Sequence, residues 1–540
     1  MTTPRIVSVP EYAMSSFTRH ARTLLVVSAI LLLSAMAGQA RAQVMDAWLN
    51  GTPVEPFTGN ASARLKGMGG IQVAIPDDQS RLDPYGYSNN PAGLRESRDS
   101  SYVEVPITYQ GHDHTDYGYA NSAVLHGAGI RGEFRPGRKW ALAASFDYAN
   151  VDASRHDGCP SPDDCRFIRD FDLPVAPELN AVTTDRTFGA SVESPKISVT
   201  YAREFFEGLT IGGRIGYRTE NENRRLLIPY DLNVSSERTE VQGGAMYRPH
   251  VLNSEMTVSG WGQYSKANVT GISESSLNQD EYDWDRPEVA YGGAIHYKNT
   301  SWLEAIIDGR HRSFDGEEVA RINWAPQFFM NPLPGDANPD NVFKKHWSAF
   351  LSGLRHNEVS TRWLVGPPGR PVHLGAQWGY YREYEWIRAN EVVIPSVNEL
   401  DVKRQGYRFA GGLSVDLPNK QGVLGAEMQL AREFREDFTN ELPDFSRMSS
   451  TFNIGGEYRL KPALPLRAGV ELIRLDPNRQ DASAPVKGAG LTLGLGYYWN
   501  ALHCRIDASY EHYHFDSAPD DPADEIGFGD QGYLFIQRAF

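Results

Sequence analysis

From about residue 101 to the C-terminus, apolar residues alternate with polar or small ones in segments of about ten to fourteen residues, the length and dyad period of a strand that crosses a bilayer. In 209–218, Leu209, Ile211, Gly213, Ile215 and Tyr217 share one face, and Thr210, Gly212, Arg214, Gly216 and Arg218 share the other. Tyr407, Phe409, Leu413, Val415 and Leu417 likewise oppose Arg408, Ser414 and Asp416, and Phe452, Ile454, Tyr458 and Leu460 oppose Asn453, Glu457 and Arg459. Leu491, Leu493, Leu495, Tyr497 and Trp499 form a further lipid-like face, ending in aromatics suited to an interfacial girdle. Its reverse, Gly490, Thr492, Gly494 and Gly496, leaves space inside.

Eighteen such segments can be counted: near 101–110, 122–134, 139–151, 187–203, 208–220, 237–249, 254–267, 286–299, 300–312, 344–356, 371–384, 404–417, 421–434, 447–460, 464–476, 487–500, 502–515 and 530–540. Tight connections at 135–138, 204–207, 418–420, 461–463 and 501 alternate with extended ones at 152–186, 313–343, 385–403 and 516–529. Short turns at one end and long loops at the other are the rule for outer-membrane barrels. The stretch 357–370 breaks it, being long where a turn is expected. The fold expected is all-β: a transmembrane barrel of about 18 antiparallel strands, or roughly 14 if some segments belong to loops.

Composition narrows the alternatives. Mean hydropathy is −0.45, and beyond the N-terminus no run of 18 apolar residues occurs, which excludes helical spans there. Glycine (50), tyrosine (26), phenylalanine (23) and tryptophan (11) suit many short strands. The N-terminus reads as a secretion signal over residues 1–42: Arg19 and Arg22, an apolar run from Leu24 to Ala37, and Ala40-Arg41-Ala42 before a cut at Gln43. The apolar run is too short for an anchor helix of about 20 residues. Loss of its four arginines and one glutamate takes the formal charge from −15 to −18, which excludes nucleic acid as a partner.

Residues 43–100 lack a convincing strand, and 101–540 hold the barrel and its external loops. Within the first part, 64–94 is rich in Gly, Pro, Asp and Asn without regular alternation. Gly67-Met68-Gly69-Gly70, Val73-Ala74, Asp77-Asp78 and Asn90-Pro91-Ala92-Gly93-Leu94 resemble the N-terminal segment of the FadL-type outer-membrane transporters of fatty acids and other hydrophobic compounds. The related PorV-type barrels of secretion machinery share the pattern. The resemblance implies a hatch or plug inside the barrel, with Asn90, Pro91 and Ala92 in the lumen or at the periplasmic mouth. Two departures are the Arg81–Ser88 insertion and a strand count above that family's usual one. Barrels of 16–18 strands leave an aqueous channel unless filled, so a plug is also physically reasonable.

Phe540 on an amphipathic last strand resembles the assembly signal read by the barrel-assembly machinery, although Arg538 departs from that pattern. The predicted inward faces carry both charge signs, among them Arg214, Arg218, Arg408, Asp416, Glu427, Glu457, Arg459, Arg467, Glu471, Arg505, Asp507 and Glu511, as expected of ion-pair ladders lining a wet lumen. Cys159 and Cys165 in CPSPDDC are expected to close a small disulfide loop after export, with free thiols as the alternative because Pro160 and Pro162 constrain the loop. His112, Asp113, His114 and Asp116 lack a distinguishing further ligand, so neither metal nor cofactor is implied.

No nucleophile elbow, zinc signature or phosphate loop specifies a reaction, and the chain reads as a non-enzyme. The expectation is a bacterial outer-membrane channel, embedded in outer-membrane lipid, that passes a hydrophobic or amphipathic small-molecule ligand by diffusion past the hatch. The alternatives are a scaffold or secretion-partner barrel and a general porin for polar solutes.

Overall fold

A computed structural model describes residues 63–71, 73–75, 90–95, 101–116, 119–137, 139–157, 187–225, 230–251, 254–275, 279–299, 302–322, 346–366, 371–391, 400–437, 445–478, 486–516 and 526–540. The signal sequence, Asp77, Asp78, the Arg81–Ser88 insertion, Cys159 and Cys165 lie outside them. Two short pieces precede the sheet, helix α1 (Ala63–Gly67) and a 3-10 turn (Pro91–Arg95). The strands are β1 (Tyr102–Asp116), β2 (Tyr119–Gly137), β3 (Trp140–Asp157), β4 (Thr187–Phe206), β5 (Leu209–Arg225), β6 (Tyr230–Tyr247), β7 (His250–Val251), β8 (Ser254–Ser275), β9 (Gln279–Asn299) and β10 (Leu303–Ile322). They continue as β11 (His346–Val365), β12 (Val372–Glu391), β13 (Leu400–Asp416), β14 (Gly422–Asp437), β15 (Phe445–Lys461), β16 (Leu464–Asn478), β17 (Val486–Trp499), β18 (Cys504–Asp516) and β19 (Ile526–Ala539).

Apart from the short β7, each strand pairs antiparallel with the strands before and after it, and β1 pairs with β19 from Tyr102 opposite Ala539 to Thr115 opposite Ile526, which closes the sheet. β7 is a two-residue rung in the β6–β8 turn, so an 18-stranded barrel results. All eighteen alternating segments are strands. Chain parity sorts the side chains as the pattern requires: Ile211, Ile215 and Tyr217 are exposed on the outside, while Thr210 and Arg218 are buried on the inside. Leu491, Leu493 and Leu495 face out, with Thr492 buried between them.

Two expectations are corrected. The stretch 357–370 is not a long connection, because β11 runs on to Val365 and is paired with β10 up to Leu303 opposite Val365. Its polar centre obscured the period: His356 bonds Glu383 across the next strand, and exposed Asn357 bonds His311 at 2.8 Å. Only 366–371 separates β11 from β12, a short connection as the rule requires. The long loops are also shorter than expected at their bases. Strands of 13 to 22 residues take in 152–157, 313–322 and 385–391, beyond the roughly 9–11 residues that cross a bilayer.

Two small apolar clusters lie inside the wall among the described residues. Leu65, Met68, Ile71 and Ile75 pack with Val423 of β14, and Leu94 packs with Ala141, Ala143 and Ala202 of β3 and β4. Both form where the N-terminal residues meet the barrel.

Candidate functional site within the barrel

α1 ends at two glycines because the chain must turn there into the left-handed region: φ is 75° at Gly69 and 74° at Gly70. The Gly70 N–H reaches back to the Leu65 carbonyl at 3.0 Å, a helix-ending bond of the Schellman type. From there the chain runs across the strands on their inner side. Gly67 lies against Gly494 of β17, Met68 against Gly455 of β15, Gly69 against Gly469 of β16, Ile71 against Gly425 of β14, Val73 against Gly375 of β12 and Ala74 against Gly412 of β13. The approach is close enough to require these wall glycines. A Cβ on Gly375 would sit 2.2 Å from the Val73 oxygen, and one on Gly469 would sit 2.5 Å from the Gly69 nitrogen.

Irregular backbone away from water needs partners for its polar groups. Here the wall supplies them. Val73 donates its N–H to Glu427 at 2.7 Å, and Ser414 donates to the Ala74 oxygen at 2.7 Å. Arg362 of β11 donates to the oxygens of Val73 (3.2 and 3.1 Å) and Ile75 (3.1 Å), and Thr492 donates to the Gly67 oxygen at 3.3 Å. Bonds to charged groups of this kind contribute about 1.5–3 kcal/mol each.

The second piece follows from the Asn-Pro-Ala sequence. Pro91 takes the first position of the 3-10 turn, where no N–H is needed, and Asn90 caps it by accepting the Ala92 N–H at 3.0 Å. The Asn90 amide then donates outward to the carbonyls of Ala245 (3.1 Å) and Gly260 (3.3 Å) on β6 and β8. Gly244 of β6 and Gly212 of β5 make room for it, since a Cβ on Gly244 would lie 2.1 Å from the Asn90 side-chain oxygen. Arg135 of β2 donates to the Leu94 oxygen and pairs with Glu133. Asn90, Ala92 and Leu94 are fully buried.

A charge cluster ties the first piece down. Arg64 approaches Glu457 at 2.8 Å, and the same carboxylate receives Arg467 at 2.9 Å and Arg459 at 3.3 Å. Arg467 also pairs with Asp507 at 2.7 Å. Further pairs line the wall: Arg131 with Asp147 (3.2 Å), Lys196 with Glu240 (3.1 Å), Arg312 with Glu288 (2.9 Å) and Arg404 with Glu383 (2.9 Å). The expected ladder of luminal ion pairs is therefore present.

All the contacting glycines stand three to six residues from the short-turn ends of their strands. At about 3.3 Å per residue that is about 10–20 Å inside the rim. Gly67, Met68, Gly69 and Gly70 fall in the first piece and Asn90, Pro91, Ala92, Gly93 and Leu94 in the second, while Asp77 and Asp78 lie outside the described residues. The two pieces engage different parts of the wall, β11 to β19 for one and β2 to β8 for the other. Sequence reasoning gave no role to Arg64, Arg135, Arg362 or Ser414. The signal that could have found the cradle is parity: glycines recur at inward positions near one end of successive strands. Cys504 is a free thiol at the start of β18, and Phe540 donates its N–H to the Ser101 oxygen at 2.9 Å beside the closing seam.

No family model and no curated protein matches the chain. Similar solved structures include a Pseudomonas aeruginosa FadL homologue, at 11% identity and a TM-score of 0.38 over 88% of this chain and 98% of that one. The Pseudomonas putida toluene transporter TodX is 11% identical with a TM-score of 0.33, over 88% of this chain and 97% of that one. The RagAB peptide importer in its closed-closed state is 9% identical with a TM-score of 0.42, over 77% of this chain and 61% of that one. These are likenesses of fold.

Proposed function

We propose that the chain is a bacterial outer-membrane channel, not an enzyme, that passes hydrophobic or amphipathic small molecules by diffusion, with its N-terminal segment as the hatch. The observation that carries this is the seating of 63–71, 73–75 and 90–95 against inward faces near the short-turn end, through hydrogen bonds to the wall and two small apolar clusters. The polar groups of the segment can take water as new partners when it leaves the wall, which offsets part of the cost of opening. The apolar outer face on successive strands suits lipid. The hydrophobic class of cargo is carried over from the Gly-Met-Gly-Gly and Asn-Pro-Ala-Gly-Leu resemblance. A polar solute is the second reading, favoured by luminal pairs such as Arg404–Glu383 and His356–Glu383.

A cross-link tests the hatch. A Cβ on Gly412 would lie 3.2 Å from the Ala74 Cβ, near the spacing a disulfide needs. Ala74→Cys with Gly412→Cys, in a background without native cysteines, is expected to block uptake of a labelled medium-chain fatty acid when oxidised and to restore it on reduction. Equal uptake in both states would remove the hatch from the mechanism. Uptake of a sugar but of no apolar compound would favour the polar-solute reading.

A further inference from the structure

The outer wall of β11 to β14 carries a groove that the luminal pathway does not use. Its volume is about 410 Å³. Register places Trp363, Ala376, Gly411 and Met428 side by side in one outward row, and Trp378 and Phe409 side by side in the next. The floor is made of the two small residues, and nothing lies within 4 Å of where a Cβ on Gly411 would stand. Aromatic rings and a flexible thioether form the sides, a shape that accepts a chain of methylenes.

The rows above the groove change character toward the long-loop end. The Tyr380 and Tyr407 rings lie 5.2 Å apart, tilted by 41°, at a level suited to an interfacial girdle, and Arg432 shares their row. The next outward positions bring Arg382 and then Arg355. All three arginines are exposed, on a chain whose net charge is −15. Arg432 lies over the Phe434 ring at 4.5 Å and Arg355 over the Trp386 ring at 5.2 Å, which fixes both heads at the surface. None of the three pairs with a carboxylate among the described residues, and the nearby Glu436 is taken by Lys403 at 2.6 Å. Ala376 and Arg382 are six residues apart on one strand, about 20 Å. One leaflet of hydrocarbon is about 15 Å deep. Groove and cations are thus spaced as the tail and head of one lipid are.

We propose that this face is a binding site for a single membrane lipid with an anionic headgroup, one whose phosphate charge is not balanced by a choline or other cation, its acyl chain in the Ala376–Gly411 groove and its phosphate on Arg355, Arg382 and Arg432. Guanidinium groups recognise phosphate through paired donors, and a cation at the membrane surface attracts anionic lipid. The proposal requires only that the barrel stand in a bilayer.

The test uses tryptophan quenching by brominated lipids in reconstituted full-length protein, with Trp363→Phe plus Trp378→Phe as the blank for the groove signal. Brominated phosphatidic acid is expected to quench at about tenfold lower mole fraction than brominated phosphatidylcholine. Arg355→Gln, Arg382→Gln and Arg432→Gln together should bring the two lipids to equal quenching. Gly411→Leu, verified as folded by heat-modifiable migration, should abolish the groove signal. Equal quenching by both lipids in the unaltered protein would overturn the proposal. So would an unchanged preference in Gly411→Leu, or a cross-linked dimer through this face, which would assign it to a second copy.

Discussion

Three guanidinium groups converge on Glu457, two of them, Arg64 and Arg467, themselves buried. Removing the carboxylate takes the shared anion from two buried cations at once, with Asp507 still beside Arg467, whereas removing one arginine leaves the carboxylate with two partners. Breaking a buried pair from one side costs about 3–5 kcal/mol, against about 1.5–3 kcal/mol for losing one charged hydrogen bond. Glu457→Ala is therefore expected to lower the unfolding midpoint well below that of Arg64→Ala, and to open residues near Met68 to protease added from the short-turn side. Equal midpoints for the two variants would mean that Glu457 is not the hub. The charges themselves were legible in the sequence as inward positions. Their partners were legible only in part: Arg459 lies two residues from Glu457 and Arg467 stands opposite it across one hairpin, but Arg64 is 393 positions away and needed the fold. The same holds for Asn90: its cap to Ala92 is local and follows from residue order, but its bonds to Ala245 and Gly260 needed the fold.

Strands were the most legible elements, because lipid outside and water inside impose a period of two that sequence carries directly. β5 and β17 could be read residue by residue. β11 could not, since a polar run interrupts an outward face only where the strand has left the bilayer, and periodicity alone does not mark that exit. The extension of β11 to Val365 makes a sharp expectation. Thr361→Arg, on the outer face, should destabilise the barrel by about 2–4 kcal/mol if that position lies near mid-bilayer, while neighbouring Ser360→Arg on the lumen side should be nearly neutral in urea unfolding. Two neutral variants would return 357–365 to a connecting loop. α1 was missed altogether, because five residues are too few to display a helical period and the flanking glycines read as turn.

For the molecule as a whole, closure depends on β1 and β19, and the last residue sits at that seam. Phe540→Ala keeps the backbone bond to Ser101 and removes only the exposed ring, over which the Arg538 guanidinium lies at 5.2 Å. The unfolding midpoint of the refolded variant is expected to be unchanged, while the amount reaching the outer membrane of cells falls severalfold. A parallel drop in both would mean that the ring stabilises the barrel instead of directing its assembly. The cradle of wall glycines has its own bearing on how the molecule comes into being. Gly67 and Thr492 are 425 positions apart, and Arg64 and Glu457 are 393 apart. Contacts this remote form only after the intervening chain is ordered. The portion synthesised among the first is thus seated among the last, and until β17 is in place it has no berth.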